Sequence, residues 1–171
     1  RLQAELALKK GDGAAALVGV GANGARDPGG PGWRVAASGT LPMPDSEDAM
    51  SWRIGDHGFR MTLSARVPDL IRTHVAGWLL EWLAEQGVGF EDVRTWAVHP
   101  GGPRILTAFG EGAGLEPGAF AASREILAEH GNMSSATLLF ILHRLRAAGA
   151  EGPVVALAFG PGLVAEVALL V

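Results

Sequence analysis

The chain has 171 residues, enough for one domain with a substantial hydrophobic core. Its net charge of −4 and its isoelectric point near 5.7 argue against a basic surface that would bind nucleic acid or an anionic membrane. The lack of cysteine excludes disulfides and cysteine-ligated metals within these residues, and it is typical of a cytoplasmic protein.

Apolar residues make up 48% of the chain, and the mean hydropathy of +0.21 is high for a small independent domain. The longest apolar stretch, residues 154–171, is interrupted by Gly160-Pro161-Gly162 and contains Glu166. It therefore lacks the roughly 20 uninterrupted apolar residues of a membrane-spanning helix. We expect instead a buried sheet and an apolar face that a partner covers.

The first third of the chain is predicted to contain strands joined by polar loops. In chain order, the patterns indicate a buried strand at 14–20, a surface loop at 21–32, a strand at 33–40, an acidic loop at 41–58 and a strand at 59–64.

The rest of the chain alternates helices with strands. Pro68 marks the first turn of a helix whose apolar residues recur at helical spacing until Gly87. Beyond it we predict a strand at 95–98, a helix opening at 105–109, helices at 117–129 and 134–148, and strands at 154–159 and 163–170. The helix at 134–148 is apolar over most of its circumference, so we expect it to be central and buried. This alternation predicts an α/β layered domain over residues 1–171.

Three turns rich in glycine and proline each adjoin an apolar element: His99-Pro100-Gly101-Gly102-Pro103, Gly131-Asn132-Met133-Ser134-Ser135-Ala136 and Phe159-Gly160-Pro161-Gly162-Leu163. Taken singly, each has an ordinary interpretation. His99 could be a loop histidine, Asn132 beside a glycine is a common helix ending, and the third turn could be a tight hairpin connection.

In combination the three turns are far more specific. Together with Gly11-Asp12-Gly13-Ala14-Ala15-Ala16, Pro44-Asp45-Ser46-Glu47 and Val67-Pro68, in this order, the chain resembles the C-terminal half of type III polyketide synthases. These are the chalcone and stilbene synthase-like condensing enzymes. The resemblance implies a thiolase-like α/β fold, in which this chain is the C-terminal half-domain. It also implies a separate N-terminal half that carries a nucleophilic cysteine.

The resemblance further implies an acyltransferase that condenses malonyl-CoA onto an acyl-CoA starter by decarboxylative Claisen chemistry. The substrates would be coenzyme A thioesters, with no metal or redox cofactor, and the complete protein would be a homodimer. His99 and Asn132 match the catalytic histidine and asparagine of the family. Substrate contacts are implied for Gly101, Gly102 and Arg104 near coenzyme A, and for Trp52, Met61, Ser134, Phe159 and Pro161 along the polyketide cavity.

Trp52 differs from plant chalcone synthases, and Lys9 and Lys10 depart from the pattern of the family as a whole. Trp52 lies where plant chalcone synthases have glycine, so it would narrow the cavity; a loop-anchoring role is an equally good interpretation. Lys9 and Lys10 lie where the family has an apolar pair, and burying two ammonium groups there would be costly.

Two alternatives stay open at this point. Without a cysteine, the chain could be a non-catalytic thiolase-fold module that binds a partner synthase. It could also be related to ketosynthases that use carrier-bound substrates, although the second and third turns fit that group less well. The remaining histidines, namely His57, His74, His130 and His143, lack the spacing of metal ligands.

Overall fold

A four-stranded sheet is the centre of the structure, a computed structural model that describes residues 11–17, 33–56 and 58–171. Its strands are β1 (Val35–Pro42), β4 (Thr95–Val98), β5 (Val154–Gly160) and β6 (Val164–Leu170), in the order β1-β6-β5-β4. Strands β4 and β5 are parallel, and the other neighbouring pairs are antiparallel. Two further strands, β2 (Met50–Gly55) and β3 (Gly58–Leu63), pair as a separate hairpin.

Four α-helices pack against this sheet: α1 (Val67–Glu85), α2 (Pro103–Ala113), α3 (Ala121–His130) and α4 (Ser135–Ala147). Short 3-10 turns at Phe90–Asp92 and Pro117–Phe120 precede β4 and α3. None of the helices in the described ranges is long and apolar enough to cross a membrane. The predicted α/β layering is therefore confirmed, with helix and strand ends that shift by a few residues.

The two faces of the sheet carry separate hydrophobic cores. Along β5, Val155 and Leu157 pack in the core that contains α1 and α2, while Val154 and Ala156 pack in the core that contains α3 and α4. Successive strand residues point to opposite faces, so a strand covered on both sides is apolar throughout. The near-continuous apolar sequence of β5 is explained by this double burial.

Two of the predicted elements differ in the structure. Residues 14–17, the described part of the predicted strand at 14–20, have no regular structure, and the predicted loop at 21–32 lies outside the described residues. The predicted loop at 41–58 is wrong in its second half, which forms β2. The alternation of Met50, Trp52 and Ile54 with polar or small residues is a strand pattern that the acidic stretch before it obscured.

The predicted burial of the helix at 134–148 is only partly correct. Ala136, Thr137 and Ile141 are fully buried, but the apolar side chains around the rest of α4 are only half-buried; these are Leu138, Leu139, Phe140, Leu142 and Leu145. The sheet and α3 cover one side of α4, and the described residues leave its other side open. The apolar circumference of α4 thus exceeds what this chain covers.

Helices α1 and α2 touch backbone to backbone at Gly112. A Cβ built at Gly112 would overlap the carbonyl oxygen of Arg72 and lie 3.0 Å from its Cα. We expect Gly112→Ala to lower the free energy of unfolding by about 1–3 kcal/mol, because a rigid backbone must move to admit the methyl group. Urea unfolding followed by circular dichroism measures this change.

The matched control is Gly77→Ala in α1, where a Cβ would have no heavy atom within 4 Å. This substitution should raise the free energy of unfolding by about 0.5–1 kcal/mol, because alanine is the better helix former. Equal effects of the two substitutions would contradict the close helix contact at Gly112.

Candidate active site

His99 lies directly after β4, where its backbone extends the parallel ladder. Its N–H donates to the carbonyl of Leu157 in β5 at 2.8 Å. One residue earlier, the N–H of Val98 donates to the buried Ser123 Oγ at 3.3 Å. These two bonds fix the backbone from which the His99 side chain projects.

The turn after His99 leads into α2. Gly101 N–H donates to the His99 carbonyl at 3.1 Å, and Pro103 occupies the first turn of α2. Proline suits this position, since the first helical turn needs no intrahelical N–H donor. Gly102 is buried and Gly101 half-buried, whereas the Arg104 side chain is exposed on α2.

Asn132 lies in the turn between α3 and α4, and its side chain reaches back over that turn. Its Oδ1 accepts the Ser134 N–H at 2.8 Å, while its Nδ2 approaches the Gly101 carbonyl at 3.4 Å. The first bond is short and the second long. The asparagine amide group therefore faces the His99 turn.

His99 and Asn132 are linked through Ser134. The imidazole Nε2 of His99 lies 2.9 Å from the Ser134 carbonyl oxygen. A carbonyl oxygen only accepts, so Nε2 carries a proton in this arrangement. The structure thus brings together four of the predicted site residues, namely His99, Gly101, Asn132 and Ser134.

Burial is the main influence on the charge of His99. Burial lowers the pKa of its imidazole below the ordinary value of 6.5, against the opposing effect of bonds to the Ser134 and His99 carbonyls. The ring is therefore more readily neutral at physiological pH than a solvated histidine. A neutral imidazole retains one lone pair, which can accept a proton.

The predicted cavity residues form a second group. Trp52 and Met61 are directly opposite each other on β2 and β3, with 48% and 38% of their surfaces exposed. Met50 and Leu63 are the next opposite pair on the same side of the hairpin. This side of the hairpin is therefore apolar.

The third turn is tied to the base of that hairpin. Gly162 N–H donates to the Met50 carbonyl at 2.7 Å, and the Gly162 carbonyl accepts the buried Ser46 hydroxyl at 3.1 Å. Pro161 is exposed in this turn, and Phe159 is half-buried at the end of β5. Phe159 lies two residues after Leu157, whose carbonyl accepts the His99 N–H. The third turn therefore lies beside the apolar hairpin.

Two supporting residues were not found by the sequence analysis, and the contact made by a third, Gly11, was not predicted. Ser123 and Thr137 are fully buried, and the Thr137 Oγ1 accepts the Met133 N–H at 2.8 Å. Gly11 N–H donates to the Asn132 carbonyl at 3.1 Å, and a Cβ on Gly11 would overlap the His130 carbonyl oxygen. A threonine three residues after Ser134, at the start of a helix, is a capping signal that could have identified Thr137.

The described residues contain no group of three histidine, aspartate or glutamate side chains that could hold a metal ion. The departure predicted at Lys9 and Lys10 lies outside the described residues.

Residues 34–171 match the family model for the C-terminal domain of chalcone and stilbene synthases. The chain belongs to this family. It is 43% identical over 164 residues to 1,3,6,8-tetrahydroxynaphthalene synthase of Streptomyces peucetius subsp. caesius, a match that covers 94% of this chain and 43% of that protein. It is 38% identical over 173 residues to bisdemethoxycurcumin synthase of Oryza sativa subsp. japonica, with 94% and 42% covered.

Solved structures of the family give the same result. The tetrahydroxynaphthalene synthase of Streptomyces coelicolor A3(2), described as a bacterial type III polyketide synthase, matches with a TM-score of 0.77 and 35% identity over 85% of this chain and 42% of that chain. PKS-I from the brown alga Ectocarpus siliculosus matches with a TM-score of 0.77 and 33% identity, covering 85% and 41%. The fold is therefore thiolase-like, and the chain spans less than half the length of these relatives.

The lowered pKa of His99 predicts a pH dependence of stability. Because the native ring binds its proton more weakly than the ring of the unfolded chain, the unfolded state takes up a proton first as the pH falls. Stability should therefore be lost as the pH decreases from about 6.5 toward the native pKa, and this loss should stop below that pKa.

An NMR titration of the His99 ring, in the native chain and in urea, measures both pKa values. Urea unfolding of the wild type and of His99→Gln between these pH values then measures the linked stability, which should be flatter in the variant. A native pKa at or above the unfolded one would contradict the burial of His99.

Proposed function

We propose that this chain supplies the histidine and asparagine of a type III polyketide synthase, acting with an N-terminal half that supplies a nucleophilic cysteine. The observation that carries the proposal is the hydrogen-bonded grouping of His99, Ser134 and Asn132. Both relatives named above are synthases, and neither name describes a non-catalytic partner protein. The catalytic interpretation is thus better supported than the interaction module.

In this proposal the reaction begins at the cysteine. His99, with a lone pair available on its neutral ring, accepts the thiol proton, and the thiolate attacks the carbonyl carbon of an acyl-CoA starter. The thioester carbon–sulfur bond breaks, and coenzyme A leaves as a thiolate that takes a proton from solvent. The imidazolium beside the sulfur favours the thiolate by charge pairing. Burial of His99, which disfavours its charged form, is offset in this state by the ion pair.

The second step is the decarboxylation of malonyl-CoA. The bond to the carboxylate carbon breaks, carbon dioxide leaves, and the electron pair moves into an enolate whose thioester oxygen becomes negative. The Nδ1–H of the His99 imidazolium, which carries the proton taken from the thiol, and the amide N–H of Asn132 stabilise this oxygen. The enolate carbon then attacks the acyl thioester carbonyl, a carbon–carbon bond forms, and the cysteine sulfur leaves. Coenzyme A thioesters are the only other reactants, so the chemistry requires no metal or redox cofactor.

The apolar side of the β2–β3 hairpin supports a role as a cavity wall. Trp52 and Met61 would limit the volume available to the growing chain, and Phe159, Pro161 and Ser134 would complete the wall. Gly101, Gly102 and Arg104 would lie along the coenzyme A entrance. We further propose that the complete protein is a cytoplasmic homodimer, as the family resemblance implies.

The catalytic roles are tested by His99→Gln and Asn132→Ala in a polypeptide that includes a cysteine-bearing N-terminal half. His99→Gln removes the base that accepts the thiol proton, and Asn132→Ala removes a hydrogen-bond donor to the enolate oxygen, so the rate of the complete condensation should fall by about 10²–10³-fold in each variant. His143→Gln, an exposed position on α4, is the control and should retain the wild-type rate. Wild-type rates in both site variants, with native circular dichroism, would contradict the proposal.

The role of Trp52 is tested by Trp52→Ala, with Arg53→Gln on the opposite side of the hairpin as the control. A wider cavity should shift the product mixture toward more malonyl extensions, which mass spectrometry of the products detects. A loop anchor would behave differently: Trp52→Ala would then lower the thermal midpoint and leave product length unchanged.

A further inference from the structure

The backbone of Ser134 contacts both side chains that the proposed function makes catalytic. Its N–H donates to Asn132 Oδ1 at 2.8 Å, and its carbonyl accepts from His99 Nε2 at 2.9 Å. The same carbonyl accepts the N–H of Thr137 at 3.1 Å, in the first turn of α4. Ser134 is therefore the junction of the asparagine turn, the histidine turn and the start of a helix.

These contacts require an unusual backbone conformation. Ser134 has φ 57° and ψ −136°, a combination normally adopted by glycine. A residue with a side chain pays about 1–3 kcal/mol for such a conformation. Changing φ to the helical value near −63° would rotate the N–H against the carbonyl by about 120°. The two groups could not then both reach their partners.

We propose that Ser134 is a positioning residue whose backbone conformation fixes the tautomer of His99 and the amide orientation of Asn132. This inference rests on the proposed function of those two side chains. It concerns the peptide groups of Ser134 and is separate from any contact of its hydroxyl with substrate.

For Asn132, the consequence is a defined direction of its amide group. Its oxygen is occupied by the Ser134 N–H, so the other end of the amide carries the donors. Within the described part of the chain, that end has only the long 3.4 Å contact with the Gly101 carbonyl. A developing negative oxygen offers a stronger acceptor than this contact, so the amide is prepared to donate to it.

For His99, the consequence is a single neutral tautomer. Of the two carbonyls that raise the pKa of the ring, that of Ser134 has the larger effect and lies 2.9 Å from Nε2, so it places the proton of the neutral ring on Nε2 and leaves the lone pair on Nδ1. The base that accepts the thiol proton is then defined before any substrate binds. Loss of this contact would allow both tautomers and would remove an influence that raises the pKa of His99.

The test is long-range ¹H–¹⁵N NMR of the His99 ring in the ¹⁵N-labelled chain, which reports the protonated nitrogen. The wild type should show a neutral ring protonated on Nε2. Ser134→Pro fixes φ near −65° and removes the N–H that Asn132 Oδ1 accepts. It should produce mixed tautomers and a lower His99 pKa. Ser134→Val keeps the N–H but disfavours positive φ. It should change the tautomer population and the His99 pKa in the same direction as Ser134→Pro.

Ser134→Ala is the matched control for the spectroscopic readout, because it removes the hydroxyl and retains the backbone preference of a residue with a Cβ. It should keep the single Nε2-protonated tautomer. A wild-type ring protonated on Nδ1 would overturn the proposal, whether or not the variants fold. So would folded proline and valine variants with an unchanged tautomer and pKa, or an alanine variant that changes as much as they do.

Kinetics separate this inference from the proposed function. In a polypeptide with the cysteine-bearing half, Ser134→Val should lower kcat by on the order of 10²-fold with little change in KM, as misplaced catalytic groups do. Mixed tautomers without a loss of kcat would support the positioning of His99 and count against its catalytic role. A loss of activity in His99→Gln, with the tautomer unchanged in the Ser134 variants, would support that role and overturn the positioning.

Discussion

The parallel pairing of β4 with β5 is the constraint on which the placement of the site depends. Parallel strands end at the same edge of a sheet, so the turns that follow them lie side by side. The His99 turn follows β4, and the Phe159–Leu163 turn follows β5. The N–H of His99 bonds to Leu157, two residues before Phe159. A histidine and an apolar turn that are 60 positions apart thereby become neighbours.

Buried polar groups stabilise this edge of the sheet. A backbone N–H without a partner in the interior costs about 1–3 kcal/mol, so each chain reversal near the site needs its own acceptor. Ser123 supplies one for Val98, and Thr137 supplies one for Met133. Both side chains are fully buried and neither is charged. The turns that carry His99 and Asn132 are thus fixed without adding charge beside the proposed catalytic groups.

Much of the fold could be predicted from the sequence, because most elements have simple local causes. Pro68 and Gly87 mark the ends of α1, and the apolar run at β5 reflects burial on both faces of the sheet. Strand β2 was missed because its alternation spans only six residues after an acidic stretch. The pairing of Trp52 with Met61 depends on the hairpin register, which local sequence does not specify.

The candidate site likewise has features that local sequence predicts and features that it does not. Its residue types were identifiable because glycine and proline turns have few alternatives, and their combination is specific to the family. The geometry of the site could not be predicted. The positive φ of Ser134 depends on its bond with His99, 35 positions away in sequence, and on the start of α4. Gly11 was likewise recognisable as part of a motif, yet its bond to the Asn132 carbonyl is a tertiary contact.

The open side of α4 connects the fold with the proposed function. Apolar side chains around α4 are half-buried because the sheet and α3 cover only one side of the helix. Ser134 and Asn132 lie at the N-terminal end of the same helix, where the helix dipole contributes positive potential. An N-terminal half that covered the open side would exclude water from α4 and from the nearby polar groups together. Exclusion of water strengthens hydrogen bonds to a developing oxyanion. A single contact with that half would then cover the exposed apolar surface of α4 and complete the proposed catalytic site.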